Sequence, residues 1–369
     1  MPKQTKKASD DPFDIKPDCL FFSDLHLHDR QEFGRVDPDT GLGTRLLEGL
    51  NILKQIRTIL NDHQEINYVY HLGDVFELKD RVPNHVLIEF KKQLRNILKY
   101  SQFYSLMGNH DFNLPDYPLL SVFETDKNFH FLNKPTVFFG NTKSIIYIVP
   151  FQRNWEDFKW EWIVAHETKP KPQVILLHQE IPGGAYETGK VVPGHFDLKV
   201  DPNILYLSGH LHRPQKVGPI QYLGSPYQTK FTNDNGERYI WLYNSRSREL
   251  RPLKLEYSKF ISVGYYDFGF PRKDTWWDTI ANGNYIRIVG EVEKENFDPD
   301  SKKKISVALE KAGAKAVVFN IKIKRQEQIE IQNDLIDDRS VIQKYAEEHH
   351  GDLSSSALIK VGVDIYESL

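Results

Sequence analysis

QFYSLMGNHD, residues 102–111, decides the reading of the fold. Gln102 to Met107 has the length and apolar character of a buried strand, and it stops abruptly at Gly108-Asn109-His110-Asp111. A glycine followed by amide, imidazole and carboxylate is turn chemistry and ligand chemistry at once. The same grammar recurs on both sides. Upstream, Asp18 to Ser23 (DCLFFS) runs into Asp24-Leu25-His26, and Asn67 to Leu72 runs into Gly73-Asp74. Downstream, Val174 to Leu177 delivers His178, and Ile204 to Leu207 delivers Ser208-Gly209-His210-Leu211-His212.

Two helical patterns separate the early strands. Thr44 to Leu60 places Leu46, Leu47, Leu50, Leu53, Ile56 and Leu60 at helical spacing, with Thr44 as the expected N-cap. Asn84 to Tyr100 does the same with Val86, Leu87, Phe90, Leu94 and Leu98, with Asn84 as the cap. Strand, helix, strand, helix, strand predicts an open α/β sheet, where ligands bind beyond the carboxyl ends of strands. All three early motifs lie there. Ser144 to Val149 reads as a further strand. Gln215 to Leu223 and Glu237 to Tyr243 alternate like antiparallel strands around a turn at Asn233 to Gly236. The expected fold class is α/β: a two-sheet sandwich flanked by helices, with loops from both halves meeting at one edge.

Singly, each motif is weak. A Gly-Asp after a strand is often only a turn, and a lone histidine is more often a satisfied core or surface residue than a ligand. Five in order, each ending a strand, is another matter. Together they offer only oxygen and imidazole ligands, which suits a pair of divalent cations and the hydrolysis of phosphate esters.

Composition narrows the class further. The 369 residues exceed one average domain, and 40 % hydrophobic with 27 % charged residues is ordinary for a globular protein. A single cysteine, Cys19, excludes an internal disulfide, disfavours a thiolate metal site and suits a reducing, intracellular (cytoplasmic) setting, nucleoid-associated or in a phage-infected cell. Met1 to Asp11 is Lys-rich with no apolar segment, so it does not read as a secretory signal. No run approaches the ~20 apolar residues of a membrane span. The net charge of −3 speaks against holding DNA by charge alone.

The motif density falls away near Tyr257. Beyond it stand a strand (Tyr285 to Val289), a helix (Asp300 to Lys311) and a strand (Ala316 to Ile323), then a charged connector from Lys324 to Asp338. Two amphipathic helices follow, Val341 to His349 and Ser354 to Leu369. The expected organisation is a tail over 1–15, a catalytic domain over 16–258, a small α/β unit over 259–325 and a linker with helices over 326–369. Gly184-Ala-Tyr-Glu-Thr-Gly189-Lys190 almost spells a phosphate-binding loop, but Val191 stands where Ser or Thr must hold magnesium, and Pro193-Gly194 oppose the helix that should follow. An ATP site is therefore rejected. The Gly-rich loop Gly183 to Gly194, with His195 just after it, is placed to reach toward the site. His28 is expected in solvent, His71 at a packed strand end, and His349 and His350 in a polar tail.

The ordered motif set from Cys19 to Tyr243 resembles the calcineurin-like metallophosphoesterase superfamily. By matched position, the resemblance implies that Asp24, His26 and His212 hold one metal and Asn109, His178 and His210 the other, with Asp74 bridging. It implies manganese as the pair, magnesium being the alternative. His110 would be the catalytic acid or charge stabiliser facing the phosphate, with Asp111 orienting its imidazole. The superfamily often has Asp three residues after its Gly-Asp; Glu77 stands there here, in an expected supporting role.

GHLHRPQ (209–215) followed by YLGSPYQ (222–228) is similar to the SbcD-type DNA-repair exonuclease branch, which includes nuclease subunits of phage recombination complexes. That branch implies a DNA substrate, a small α/β capping domain, C-terminal helices that dock on an SMC-like ABC ATPase of the SbcC type, and a homodimer. Lys91, Lys92 and Arg95, and Lys302, Lys303 and Lys304, are the basic candidates for DNA contact, though a solvated face is the better explanation for each. The rival readings are a phosphatase or cyclic-nucleotide phosphodiesterase with the same site, and a non-catalytic structural subunit.

Overall fold

The computed structural model describes residues 11–30, 32–79, 81–112, 118–139, 144–232, 236–265, 276–293, 299–324, 338–349 and 354–368. Most of the 1–15 tail, the 325–337 connector, His350 and the tip of the 233–236 turn lie outside them. Asp11 to Ile15 do not hang loose. Pro12–Ile15 form a 3-10 turn, Ile15 is buried, and the Phe13 ring stacks 3.7 Å from that of His63.

Two six-stranded sheets make the core. The first carries β1 (Cys19–Phe22), β2 (Tyr68–His71), β3 (Gln102–Leu106) and β4 (Phe129–Leu132) in parallel, with β11 (Tyr239–Asn244) and β12 (Glu249–Lys254) antiparallel at one edge. The second runs β5 (Thr136–Phe139), β6 (Ile145–Val149), β7 (Val174–His178), β8 (Leu205–Gly209), β10 (Ile220–Tyr222), β9 (Gln215–Val217). Strands buried on both faces read as unbroken apolar runs, and β1 shows why. Cys19 and Phe21 face the second sheet with Tyr70, Ile148 and Leu176, while Leu20 and Phe22 face the helices α1 (Thr44–Asp62) and α2 (Asn84–Ile97). The helix α3 (Trp155–Glu167) covers the outer face of the second sheet through Phe158 and Trp162.

Some local expectations are corrected. The N-cap of α1 is Gly43, because the Thr44 hydroxyl turns aside to accept from Arg35 N at 3.2 Å; the N-cap of α2 is Pro83. Gln215 to Leu223 is not one strand. Gly218 (φ 55°) and Pro219 fold it into the β9–β10 hairpin, and β11 crosses to the first sheet to pair with β1. The helix α3 lacks a clean stripe, since Trp160 (64 % exposed) and Ile163 face solvent among its buried aromatics.

By internal contacts the chain divides into Met1–Glu291 with Asp298–Lys322, and Val292–Phe297 with Ile323–Leu369. The three-stranded sheet of β13 (Phe260–Gly264), β14 (Tyr285–Glu293) and β15 (Ala316–Lys324), with α4 (Trp276–Ala281) and α5 (Pro299–Lys311), falls largely in the first. Two charged residues of α1 join it to the core. The Arg45 guanidinium lies 4.5 Å from the Phe260 ring and donates to Thr229 O at 2.7 Å. The buried Glu48 carboxylate accepts from Ser258 N and Oγ and pairs with Lys315. Buried charges persist where they are partnered, and these two are. The second unit contributes a helical hairpin of α6 (Asp338–His349) and α7 (Ser355–Ser368), close-packed where Gly362 meets Ile342. No described helix is long and apolar enough to cross a membrane.

Candidate metal centre

The carboxyl ends of β1, β2, β3, β7 and β8 converge, and their loops are stitched together. Asp24 N donates to Gly73 O at 3.0 Å and His26 N to Asp74 O at 3.1 Å. His210 N donates to Asp24 Oδ1 at 3.0 Å, and His110 N to Asp74 Oδ1 at 2.7 Å. Four residues at the site have left-handed backbones: Asp24 (φ 55°), His26 (44°), Asp74 (61°) and His210 (87°). That conformation costs roughly 1–2 kcal/mol per residue outside glycine, and such strain collects at functional sites.

Two glycines are there for close approach. A Cβ on Gly108 would stand 2.2 Å from Asp74 Oδ1, and one on Gly209 would stand 2.3 Å from Leu72 O. Gly108→Ala is therefore expected to displace Asp74, at a cost of about 1–3 kcal/mol in denaturant unfolding.

Eight polar side chains meet. Donor atoms of Asp24, His26 and His212 lie within 4.8 Å of one another, as do those of Asp24, Asp74 and His178, and those of His26, Asp74 and His110. His26 Nε2 is 3.9 Å from Asp24 Oδ1 and 3.6 Å from Asp74 Oδ2. His178 Nε2 is 3.3 Å from Asp74 Oδ2 and 3.1 Å from Asn109 Oδ1, which is 2.8 Å from His210 Nδ1. Two subsets thus share Asp74: Asp24, His26 and His212 on one side, Asn109, His178 and His210 on the other. His26 Nε2 is buried with no hydrogen-bond partner, although aimed at two carboxylates. An orphaned buried nitrogen among carboxylates is what a cation would satisfy, so the residues fit a divalent pair.

A comparison with protein families matches residues 19–214, more than half of the chain, to calcineurin-like phosphoesterases. The chain belongs to the calcineurin-like phosphoesterase family. No curated protein matches it at significance. Family membership and the Asp/His cluster together make it a metal-dependent phosphoesterase.

The electrostatics of this phosphoesterase follow from burial and pairing. Burial alone would raise the Asp74 carboxyl, but His178, His26 and His110 hold it well below the usual carboxylate range. Burial would pull the His178 imidazole down; Asp74 and Asp24 outweigh it and push it up to about 9. Metal-free protein therefore carries a proton on His178 at neutral pH, and a cation must displace it. Metal affinity is expected to rise with pH up to about 9, with proton release seen by calorimetry in buffers of different ionisation heat. The sign for stability is opposite. His178 is raised on folding from about 6.5, so its contribution is full below that value and lost as pH rises through 9. Metal-free protein should lose Tm across that window.

The supporting residues depart in one respect from expectation. Glu77 lies 2.8 Å from His26 Nδ1, the supporting position expected of it. Asp111 does not orient His110. It is buried, and its carboxylate accepts from Gly108 N at 2.7 Å, Asp74 N at 2.8 Å and Val75 N at 3.0 Å, clasping two ligand loops together. Burial and the Asp74 charge push its carboxyl up to about 6 against those three donors. The His110 imidazole is instead held by Glu77 O, 2.8 Å from Nδ1.

Among the other histidines, His71 is buried at a strand end beside Ser105 Oγ, and burial pushes it down to about 3. His28 is half-buried rather than solvated; burial and Arg45 push it down to about 4, and its Nδ1 accepts from Arg30 N. His195 is exposed. Three neighbours escape sequence reading. The Phe151 ring stacks 6.0 Å from that of His210, Glu180 lies 3.6 Å from His210 Nε2, and Glu187 lies 3.4 Å from His212 Nδ1. Phe151 and Glu180 stand two residues beyond β6 and β7 and Glu187 lies on the following loop, all outside the motifs, so the sequence does not single them out.

Proposed function

We propose that this phosphoesterase is a DNA nuclease, the nuclease subunit of an SMC-like ATPase complex acting in break processing, recombination or replication. The observation that carries the reading is the path of YLGSPYQ. Ser225 N donates to His212 O at 3.0 Å, the Tyr227 hydroxyl donates to Leu25 O, and Gln228 Oε1 accepts from Phe260 N at 2.7 Å. One strap thus holds both ends of the ligand set and the first strand of the small α/β sheet. A unit anchored to the site in this way suits a substrate larger than a small ester.

Manganese is the proposed metal, and Asp24, His26, Asp74, Asn109, His178, His210 and His212 would hold two ions. A bound pair supplies the positive charge that draws in a phosphodiester and favours attack by water. The chain's own part is proton placement. Glu77 O accepts the Nδ1 proton of His110, so Nε2 would give a proton to the leaving oxygen from the imidazolium form and leave the ring neutral with Nδ1 still held.

The basic candidates on α2 add little to DNA binding. Lys91 and Arg95 pair with Asp126, and Lys92 pairs with Glu89. The ATPase partner is proposed for the α6–α7 hairpin, where Tyr345 (66 %) and Val361 (55 %) are exposed. A homodimer is proposed through helices near Ile88 of α2, which is 54 % exposed.

Purified protein with Mn2+ should be assayed on linear duplex DNA, single strands and small phosphodiesters. Cleavage of DNA is expected. Turnover of small esters without DNA cleavage would favour a phosphatase or cyclic-nucleotide phosphodiesterase, and no turnover at all a structural subunit.

A further inference from the structure

We propose that Glu187 is the positioning residue of His212, fixing which imidazole nitrogen is offered to metal. This rests on the two-ion reading above. Glu187 lies in the Gly183 to Gly194 loop, inside the string that imitates a phosphate-binding loop. The fold gives that string a different task. Ala185 and Val191 bridge, Val192 N donates to Gly184 O at 2.7 Å, and Gln215 grips both backbone groups of Ala185. The closed loop turns Glu187 inward, where its side chain is 3 % exposed.

The carboxylate is pinned from beneath. Arg238, fully buried just before β11, lies 3.2 Å from Oε1, and Lys230 lies 3.6 Å from Oε2. Oε2 then stands 3.4 Å from His212 Nδ1. A carboxylate facing Nδ1 keeps the ring proton there and frees Nε2 as the ligand atom, and it also raises ligand basicity. His26, in the same subset, has the same design, with Glu77 at Nδ1 and Nε2 aimed at the carboxylates. His212 sits on a loop and is 21 % exposed, with its ring 4.5 Å from that of His26, so removing Glu187 leaves its Nδ1 without that carboxylate.

The test is calorimetric titration with Mn2+ alone, on metal-free protein. Wild type is expected to bind two ions. Glu187→Gln should weaken one of them about 10–100-fold and leave the other unchanged, and Glu187→Asp should restore part of the loss. Because Glu187→Gln leaves Arg238 buried beside a neutral partner, a Glu187→Gln, Arg238→Gln double variant is run in parallel, with circular dichroism as the folding check. Two sites of wild-type affinity in a folded Gln variant would overturn the proposal. Wild type that binds no Mn2+ would overturn the metal reading itself.

Discussion

His110→Ala is expected to reduce phosphodiester cleavage about 10²–10⁴-fold while both metals stay bound. The separation is physical. Truncation removes the imidazole but keeps the backbone amide, and it is His110 N that supports Asp74 Oδ1 at 2.7 Å. The bridging carboxylate therefore keeps its orientation. What is lost is a ring held through Nδ1 by Glu77 O and edge-on to His26, 4.9 Å between centroids. Activity on DNA and Mn2+ stoichiometry should be measured on the same preparation. Unchanged cleavage would remove His110 from the chemistry; loss of an ion would make it a ligand.

Asp74→Asn should have the larger effect on binding. Asp74 Oδ2 lies 3.6 Å from His26 Nε2 and 3.3 Å from His178 Nε2, one nitrogen of each subset, and its charge, with that of Asp24, raises His178. Removing that charge is expected to abolish tight binding of both ions and to lower cleavage about 10³-fold or more. The fold should survive, because Asn keeps a side-chain oxygen to accept from His110 N, as Asp74 Oδ1 does at 2.7 Å. Circular dichroism at neutral pH checks this. Two ions bound by Asp74→Asn would show that the subsets do not share this residue.

Much of this was legible in the sequence because the ligands ride on strand ends. The register of β1, β2, β3, β7 and β8 is written in apolar runs, so Asp24, Asp74, Asn109, His178 and His210 are located as soon as the strands are. Distances between loops are not written there. Asp111 looked like a partner for His110 because it is adjacent in sequence, yet the turn directs it at three amides of neighbouring loops. Glu187 was hidden in a string with a more familiar meaning. Gln215 to Leu223 does not pair with Glu237 to Tyr243, because Gly218-Pro219 is a turn in its own right and β11 pairs with β1. Charged residues such as Arg45 and Glu48 sit on what looks like an ordinary helix, and only the small sheet beside them explains their burial.

The central claim is that one carboxylate joins two metal subsets. Anomalous diffraction from crystals soaked in Mn2+ tests it most directly. Two peaks are predicted, one among Asp24, His26 and His212 and one among Asn109, His178 and His210, with Asp74 touching both. A single peak, or two peaks with Asp74 on only one, would contradict it.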